Sequence, residues 1–207
     1  MEITYLGHSA VLLTASSGET LLFDPFTKIG YEMCPISPTV CVYSHNHYDH
    51  NFIDACPLAK IGFGEDFNQG AFSVNSFFSY HDEKEGKLRG ENFIYCVKVD
   101  GVTVCHMGDF GENVDKFDFS ILPKIDLLFL PVGGTYTIDA KSAKKVVDKI
   151  NPKFIIPIHF KTEKSRIDIA PVADFLSYFE KFDELNTSSV SYDKLRAKVT
   201  VLKIKEK

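Results

Sequence analysis

The chain has 207 residues, 44% of them apolar, which suits one α/β domain over residues 1–207 with a sizeable core. Lys and Arg number 23 against 28 Asp and Glu; the net charge of −5 argues against a basic nucleic-acid-binding surface at the level of the whole chain. The N-terminus reads Met-Glu-Ile-Thr-Tyr, with no basic leader and no cleavage site, and no apolar run approaches the ~18 residues of a membrane span, so a cytoplasmic protein without membrane insertion is expected.

Residues 2–6, 10–14 and 20–24 read as short apolar strands, the last two separated by a Ser-Ser-Gly turn. Val40–Tyr43 is a β-branched and aromatic run that stops at Ser44. Phe72–Phe78 is a further apolar run. Phe93–Val99 and Val102–Cys105 flank Asp100-Gly101, a strong hairpin signal. Leu127–Val132 is continuously apolar, as expected of a strand covered on both faces. Asp139–Ile150 has a capping aspartate and places Ala143, Val146, Val147 and Ile150 on one face of a helix that Asn151-Pro152 ends. Phe154–Ile158 is another strand. Pro171–Leu185 is predicted as an amphipathic helix whose Phe175, Phe179 and Phe182 stripe faces the core, and Lys198–Lys205 as a closing edge strand. The pattern is β-rich first and βα later, which predicts a layered α/β/β/α sandwich. Five cysteines without a CxxC spacing read as buried small hydrophobes.

The most informative segment is His45-Asn46-His47-Tyr48-Asp49-His50, which follows the Val40–Tyr43 strand. Imidazole and carboxylate are the ligands that borderline divalent metals prefer. Residues at i and i+2 of an extended loop can point the same way, so His45 and His47 can share one ion. One loop cannot surround an ion, and His81, Asp109 and His159 each lie just past an apolar run of their own. Repeated placement at strand ends predicts one rim where the ligands converge. The chemistry suggested is metal-assisted hydrolysis.

These motifs resemble the metallo-β-lactamase superfamily. His45, His47, Asp49 and His50 match its HxHxDH signature, Gly108-Asp109 its bridging aspartate and Pro157-Ile158-His159 its last histidine. Leu6-Gly7-His8-Ser9, Phe23-Asp24-Pro25 and Pro131-Val132-Gly133-Gly134 are similar to a branch of small bacterial metal-dependent hydrolases that includes ascorbate-6-phosphate lactonases and N-acylphosphatidylethanolamine phospholipase D. The resemblance implies a four-layer αββα sandwich. It also implies one metal on His45, His47 and His81, a second on Asp49, His50 and His159, and Asp109 between them. Asp49 and Asp109 would be the catalytic carboxylates, Asp49 also orienting the hydroxide nucleophile. The expected cofactor is a pair of Zn²⁺ ions, with Mn²⁺ or Fe as substitutes, and the expected substrate a small-molecule ester, lactone or phosphodiester. A di-iron redox protein, a metal-dependent nuclease and a non-catalytic scaffold are the competing classes.

Asp24 is expected to support an imidazole from behind the ligands. His8 and His106 exceed the ligand count and are expected as packed, hydrogen-bonded histidines, with His106 well placed to support the Asp109 turn. Gly133-Gly134 reads as a turn before a phosphate cradle, and Lys161 and Arg166 as solvated surface before an anion-attracting pair. Tyr136 divides evenly between binding substrate and capping a strand end. Residues 86–90 read as an exposed connector, with a mobile loop beside His81 as the alternative.

Overall fold

The computed structural model describes residues 1–205. Two mixed six-stranded sheets share one core. The first contains β1 (Glu2–Gly7), β2 (Ala10–Thr14), β3 (Thr20–Phe23), β4 (Val40–Val42) and β5 (Lys60–Gly62). The second contains β6 (Phe67–Gln69), β7 (Phe72–Tyr80), β8 (Glu91–Val99), β9 (Val102–His106), β10 (Leu127–Pro131) and, after helix α1 (Ala140–Ile150), β11 (Phe154–Ile158). Helix α2 (Val172–Leu176) precedes β12 (Asp183–Glu184), β13 (Ser189–Ser191) and β14 (Thr200–Val201). The strand orders are β13-β1-β2-β3-β4-β5 and β11-β10-β9-β8-β7-β6, and β12 pairs with β14 apart from both. In each sheet the antiparallel part gives way to parallel pairing where ligand-bearing strands lie, at β3-β4-β5 and β9-β10-β11.

Local chemistry explains these elements. The β8–β9 hairpin turns through Asp100 (φ 51°) and Gly101 (φ 75°), both left-handed, as a two-residue type I′ turn requires. Asp100 also accepts from the N-terminal amine at 3.0 Å and from Ser16, pinning the start of β1 to this turn. β10, between β9 and β11, is buried at all five positions, in line with its unbroken apolar run. Asp139 caps α1 by accepting from the Ser142 N–H at 2.8 Å, and Asn151 ends it in the left-handed region (φ 48°). Burial of Val146 and Val147 contributes on the order of 1.5–3 kcal/mol each. The five cysteines are free and buried.

The sandwich is αββα in type but uneven. Residues of α1 and α2 join the core shared by the two sheets. The outer face of the first sheet is covered by a separate cluster in which Leu6, Leu12, Leu22 and Cys41 meet Phe26, Ile29, Met33 and Cys56 from the connections on either side of β4.

The C-terminal third departs from expectation. The helix predicted over 171–185 stops after Leu176, and the chain turns extended at Asp183. The Asp183 and Leu185 N–H groups donate to the carbonyls of Val199 and Val201, so ladder bonds to the terminal segment replace the last helical turns. Phe175 is buried and Phe179 packs against the core, while Phe182 lies outside the stripe and is exposed. Likewise the edge strand predicted over 198–205 shrinks to Thr200–Val201, with Val199 bridging Ile155. No helix of the described residues is long and apolar enough to cross a membrane.

Candidate metal centre

Six strands end at one rim, and each delivers a site residue. β1 leads to His8, β3 to Asp24, β4 to His45–His50, β7 to His81, β9 to Asp109 and β11 to His159. Three of these residues turn the chain sharply with left-handed backbones: His8 (φ 52°), Asp24 (φ 45°) and His159 (φ 50°). Such a conformation is uncommon for a side-chain-bearing residue and persists where the surrounding structure holds it. Gly108 (φ 55°) plays the same part before Asp109, and a Cβ there would collide with Ser44 and Asn92.

The side chains gather as the HxHxDH spacing suggests. Potential ligand atoms of His45, His47 and His81 lie within 4.8 Å of one another, as do those of His8, Asp49, His50 and His159. A third set, His45, His50 and Asp109, connects the two. Asp109 Oδ2 lies 3.3 Å from His81 Nε2, 3.3 Å from His159 Nε2 and 3.9 Å from His45 Nε2, and Oδ1 lies 3.2 Å from His50 Nε2. All seven residues expected as ligands are therefore brought together. His8, expected among the packed histidines, sits closer than that: its Nε2 is 3.3 Å from Asp49 Oδ2.

Behind His45 and His50 the site is hydrogen-bonded, whereas Nδ1 of His81 and of His159 is buried without a partner among the described residues. Asp24 accepts from the Ser44 N–H (2.6 Å), the Ser44 hydroxyl (2.8 Å) and His50 Nδ1 (2.8 Å). The Ser44 hydroxyl, having donated to Asp24, accepts from His45 Nδ1 at 3.0 Å. Both imidazoles thus carry a proton on Nδ1 and turn Nε2 into the site. His45 Nε2 is buried with no hydrogen-bond partner, and His50 Nε2 and Asp109 Oδ1, also buried, face only each other at 3.2 Å. Buried polar atoms are nearly always satisfied, so three such atoms converging on one space fit a cation ligated there. His106 is used otherwise: its Nε2 donates to the Ser9 carbonyl (2.9 Å), its Nδ1 accepts from the Gly108 N–H (3.1 Å), and its ring stacks on Phe23. It holds the Asp109 turn without reaching the centre.

Electrostatics agrees with this geometry. Burial, reinforced by neighbouring histidines, pushes the His45 pKa well below the ordinary range. Burial likewise lowers His81 to about 4, and burial followed by the His159 charge lowers His8 to about 4. These imidazoles are neutral at pH 7, the form that ligates metal. Burial would lower His50 as well, but the Asp109 and Asp24 carboxylates overcome it and raise its pKa well above the usual value, so a cation bound at Nε2 would have to displace a proton shared with Asp109. Burial would raise Asp109 and Asp49, and it is overcome by His159 and His50 at Asp109 and by the hydrogen bond from His8 at Asp49, leaving both carboxyls depressed and ionised.

Two supporting residues carry no signal in the sequence pattern. Asn92 in β8 is fully buried, donates to Ser79 Oγ (2.8 Å) and the Met107 carbonyl (3.0 Å), and accepts from the Asp109 N–H (2.9 Å). Ser44 links Asp24 to His45. An asparagine inside a strand run and a serine at its end are ordinary in composition, and only the fold reveals them. Gly133-Gly134 makes a turn: Gly133 packs against the His159 carbonyl and Gly134 donates to that of Ile138. Lys161 is committed to the Ile167 carbonyl (2.7 Å). The connector 82–90 is folded on Asp82, which accepts from the N–H groups of Lys84, Leu88 and Arg89.

Above the centre opens a cavity of about 520 Å³, floored by His47, Asp49, His81 and Asp109. Its walls include Tyr48, Tyr136, Lys28, Arg89 and Arg166.

Comparison with known proteins agrees with this architecture. A metal-dependent hydrolase of Carboxydothermus hydrogenoformans is 29% identical over 195 residues, covering 78% of this chain and 85% of its own. One from Methanospirillum hungatei is 30% identical, covering 84% and 89%. The crystal structure of an inferred Zn-dependent hydrolase of the metallo-β-lactamase superfamily from Thermotoga maritima superposes with a TM-score of 0.74 at 29% identity, over 97% of each chain. The family model of the beta-lactamase superfamily domain matches residues 2–159, a span that holds all seven convergent side chains and all six strand ends, and the chain belongs to the metallo-β-lactamase superfamily.

Proposed function

We propose that this metal-dependent hydrolase works through a binuclear centre, with one ion on His45, His47 and His81, the other on Asp49, His50 and His159, and Asp109 shared between them. The observation that carries the reading is the trio of buried ligand atoms at the junction of the two clusters, His45 Nε2 without a partner and His50 Nε2 and Asp109 Oδ1 with none but each other. Mixed imidazole and carboxylate donors suit Zn²⁺, and Mn²⁺ or Fe would accept the same set. When bound, such a pair supplies Lewis acidity and a water of lowered pKa for attack on a carbonyl or phosphorus centre.

The protein residues do the rest. Asp24 and Ser44 lock His50 and His45 in the tautomer that presents Nε2. Asn92 and His106 fix the backbone on either side of Gly108, so that Asp109 enters at one angle. Asp49, held by His8, keeps one carboxylate oxygen toward the cleft. The cavity's volume is that of a small-molecule site. The substrate class that fits is a small ester, lactone or phosphodiester, handled by residues 1–207 acting as one domain in the cytoplasm.

Metal analysis of the purified chain should return two ions per molecule. Asp109→Ala should lower that number, abolish hydrolysis of phosphodiester and lactone probes, and leave the circular dichroism spectrum unchanged. Full metal content with unchanged turnover in this variant would remove Asp109 from the centre.

A further inference from the structure

We infer that the cleft recognises substrates carrying an oxyanion, a carboxylate or phosphate, set apart from the bond that is cleaved, and that Arg89 and Arg166 grip it. The inference rests on reading this cleft as the substrate site of the hydrolase.

The chain as a whole is acidic, at −5, yet three cationic side chains, Lys28, Arg89 and Arg166, line this one cavity against a single exposed carboxylate, Asp168. Among the described residues no carboxylate pairs with any of the three. Arg89 is held at backbone and guanidinium, and Arg166 at its backbone. The Arg89 N–H donates to Asp82 Oδ2 at 2.7 Å, and Asp82 is itself buried. The Arg89 guanidinium donates to the Thr135 carbonyl at 3.1 Å and stands 5.6 Å from the Tyr136 ring centroid. That single bond occupies one of its five donors. Arg166 is fixed at its root, where its N–H donates to the Ile29 carbonyl at 2.8 Å. Gly30 (φ 108°) is what lets its stem pass, because a Cβ there would stand 2.8 Å from Arg166 Cγ. Lys161 ties down the same loop through the Ile167 carbonyl. Two arginines anchored from separate loops, with free guanidinium donors at one cavity, form a fork suited to an oxyanion.

The test is calorimetric titration of the metal-loaded full-length protein with glutarate and with butyrate, which offers the centre one carboxylate and the fork nothing. The wild type should bind glutarate at least about tenfold more tightly, and Arg89→Gln and Arg166→Gln should each cut that preference by about tenfold. The preference should also shrink as salt is raised. Substituting 4-phosphonobutyrate separates the two oxyanions: the tighter ligand identifies the group the fork takes. Equal binding of glutarate and butyrate, or a preference that survives both substitutions, overturns the inference. A preserved preference in a protein that hydrolyses no ester would leave the fork standing and defeat the hydrolase mechanism instead.

Discussion

Asp24→Asn is the sharpest probe of how the centre is held. The substitution keeps the volume, and asparagine tolerates the left-handed backbone at φ 45° as aspartate does, so neither a cavity nor added strain confuses the result. If the amide oxygen stays on the Ser44 N–H, the amide NH₂ replaces Oδ2. It then faces the Ser44 hydroxyl and His50 Nδ1, both at 2.8 Å and both donors. Two hydrogen bonds to a charged acceptor are lost, each worth about 1.5–3 kcal/mol, and rotation of the hydroxyl recovers part of this, so a net loss of about 2–4 kcal/mol in unfolding free energy is expected. His50 can escape the donor–donor clash only by moving its proton to Nε2, the atom aimed at the centre. Metal affinity at the Asp49–His50–His159 cluster should then fall by about 10–100-fold, with a smaller change at His45, His47 and His81. Competition against a chromophoric chelator reads both affinities, and urea unfolding reads the stability. Wild-type affinity at both positions, with His50 still protonated on Nδ1, would refute the reasoning.

Three further predictions concern the frame. Asn92→Leu strands the Asp109 N–H and takes one of two bonds from the Met107 carbonyl and from Ser79 Oγ, which keep the Phe110 N–H and the residue 92 carbonyl, and should cost about 2–3 kcal/mol in urea unfolding, with metal content reduced. Gly108→Ala pushes a methyl group into Ser44 and Asn92 at a positive φ and should destabilise by more than about 2 kcal/mol, whereas Gly18→Ala, where a Cβ meets nothing, pays only the backbone term of about 1 kcal/mol. Burial would raise the Asp82 pKa, but the N–H groups of Arg89, Lys84 and Leu88 outweigh it and lower it below the ordinary carboxyl value. Its contribution is therefore present above the unfolded value of about 3.9 and is lost as pH falls through the lower folded value. The stability gap between wild type and Asp82→Asn should be full at neutral pH and close under acid; a gap independent of pH would exclude this role.

The legible parts of the sequence were those governed by local rules. Period, capping and turn chemistry marked the hairpin at Asp100-Gly101, helix α1 from Asp139 and the buried run of β10. Ligand-type residues past apolar runs marked the rim. What stayed hidden depends on contacts far along the chain. β5, β6 and β13 are three-residue strands of mixed polarity that exist because a neighbour pairs with them. Helix α2 is short because the terminal segment competes for its backbone, which no helical periodicity can report. His8 looked surplus because a count of ligands carries no distances, and Asn92 was invisible because its three bonds reach β7 and the β9 turn.

The two candidate clusters also straddle the sandwich. His45 and His47 hang from the first sheet and His81 from the second; His8, Asp49 and His50 belong to the first and His159 to the second. An ion held by either set is a rivet through both layers at their open end, and anything bound only by the native state adds its binding free energy to folding. Chelation would thus slacken the mouth of the sandwich as it silences the chemistry. Heat resistance and metal loading should rise and fall together in this protein.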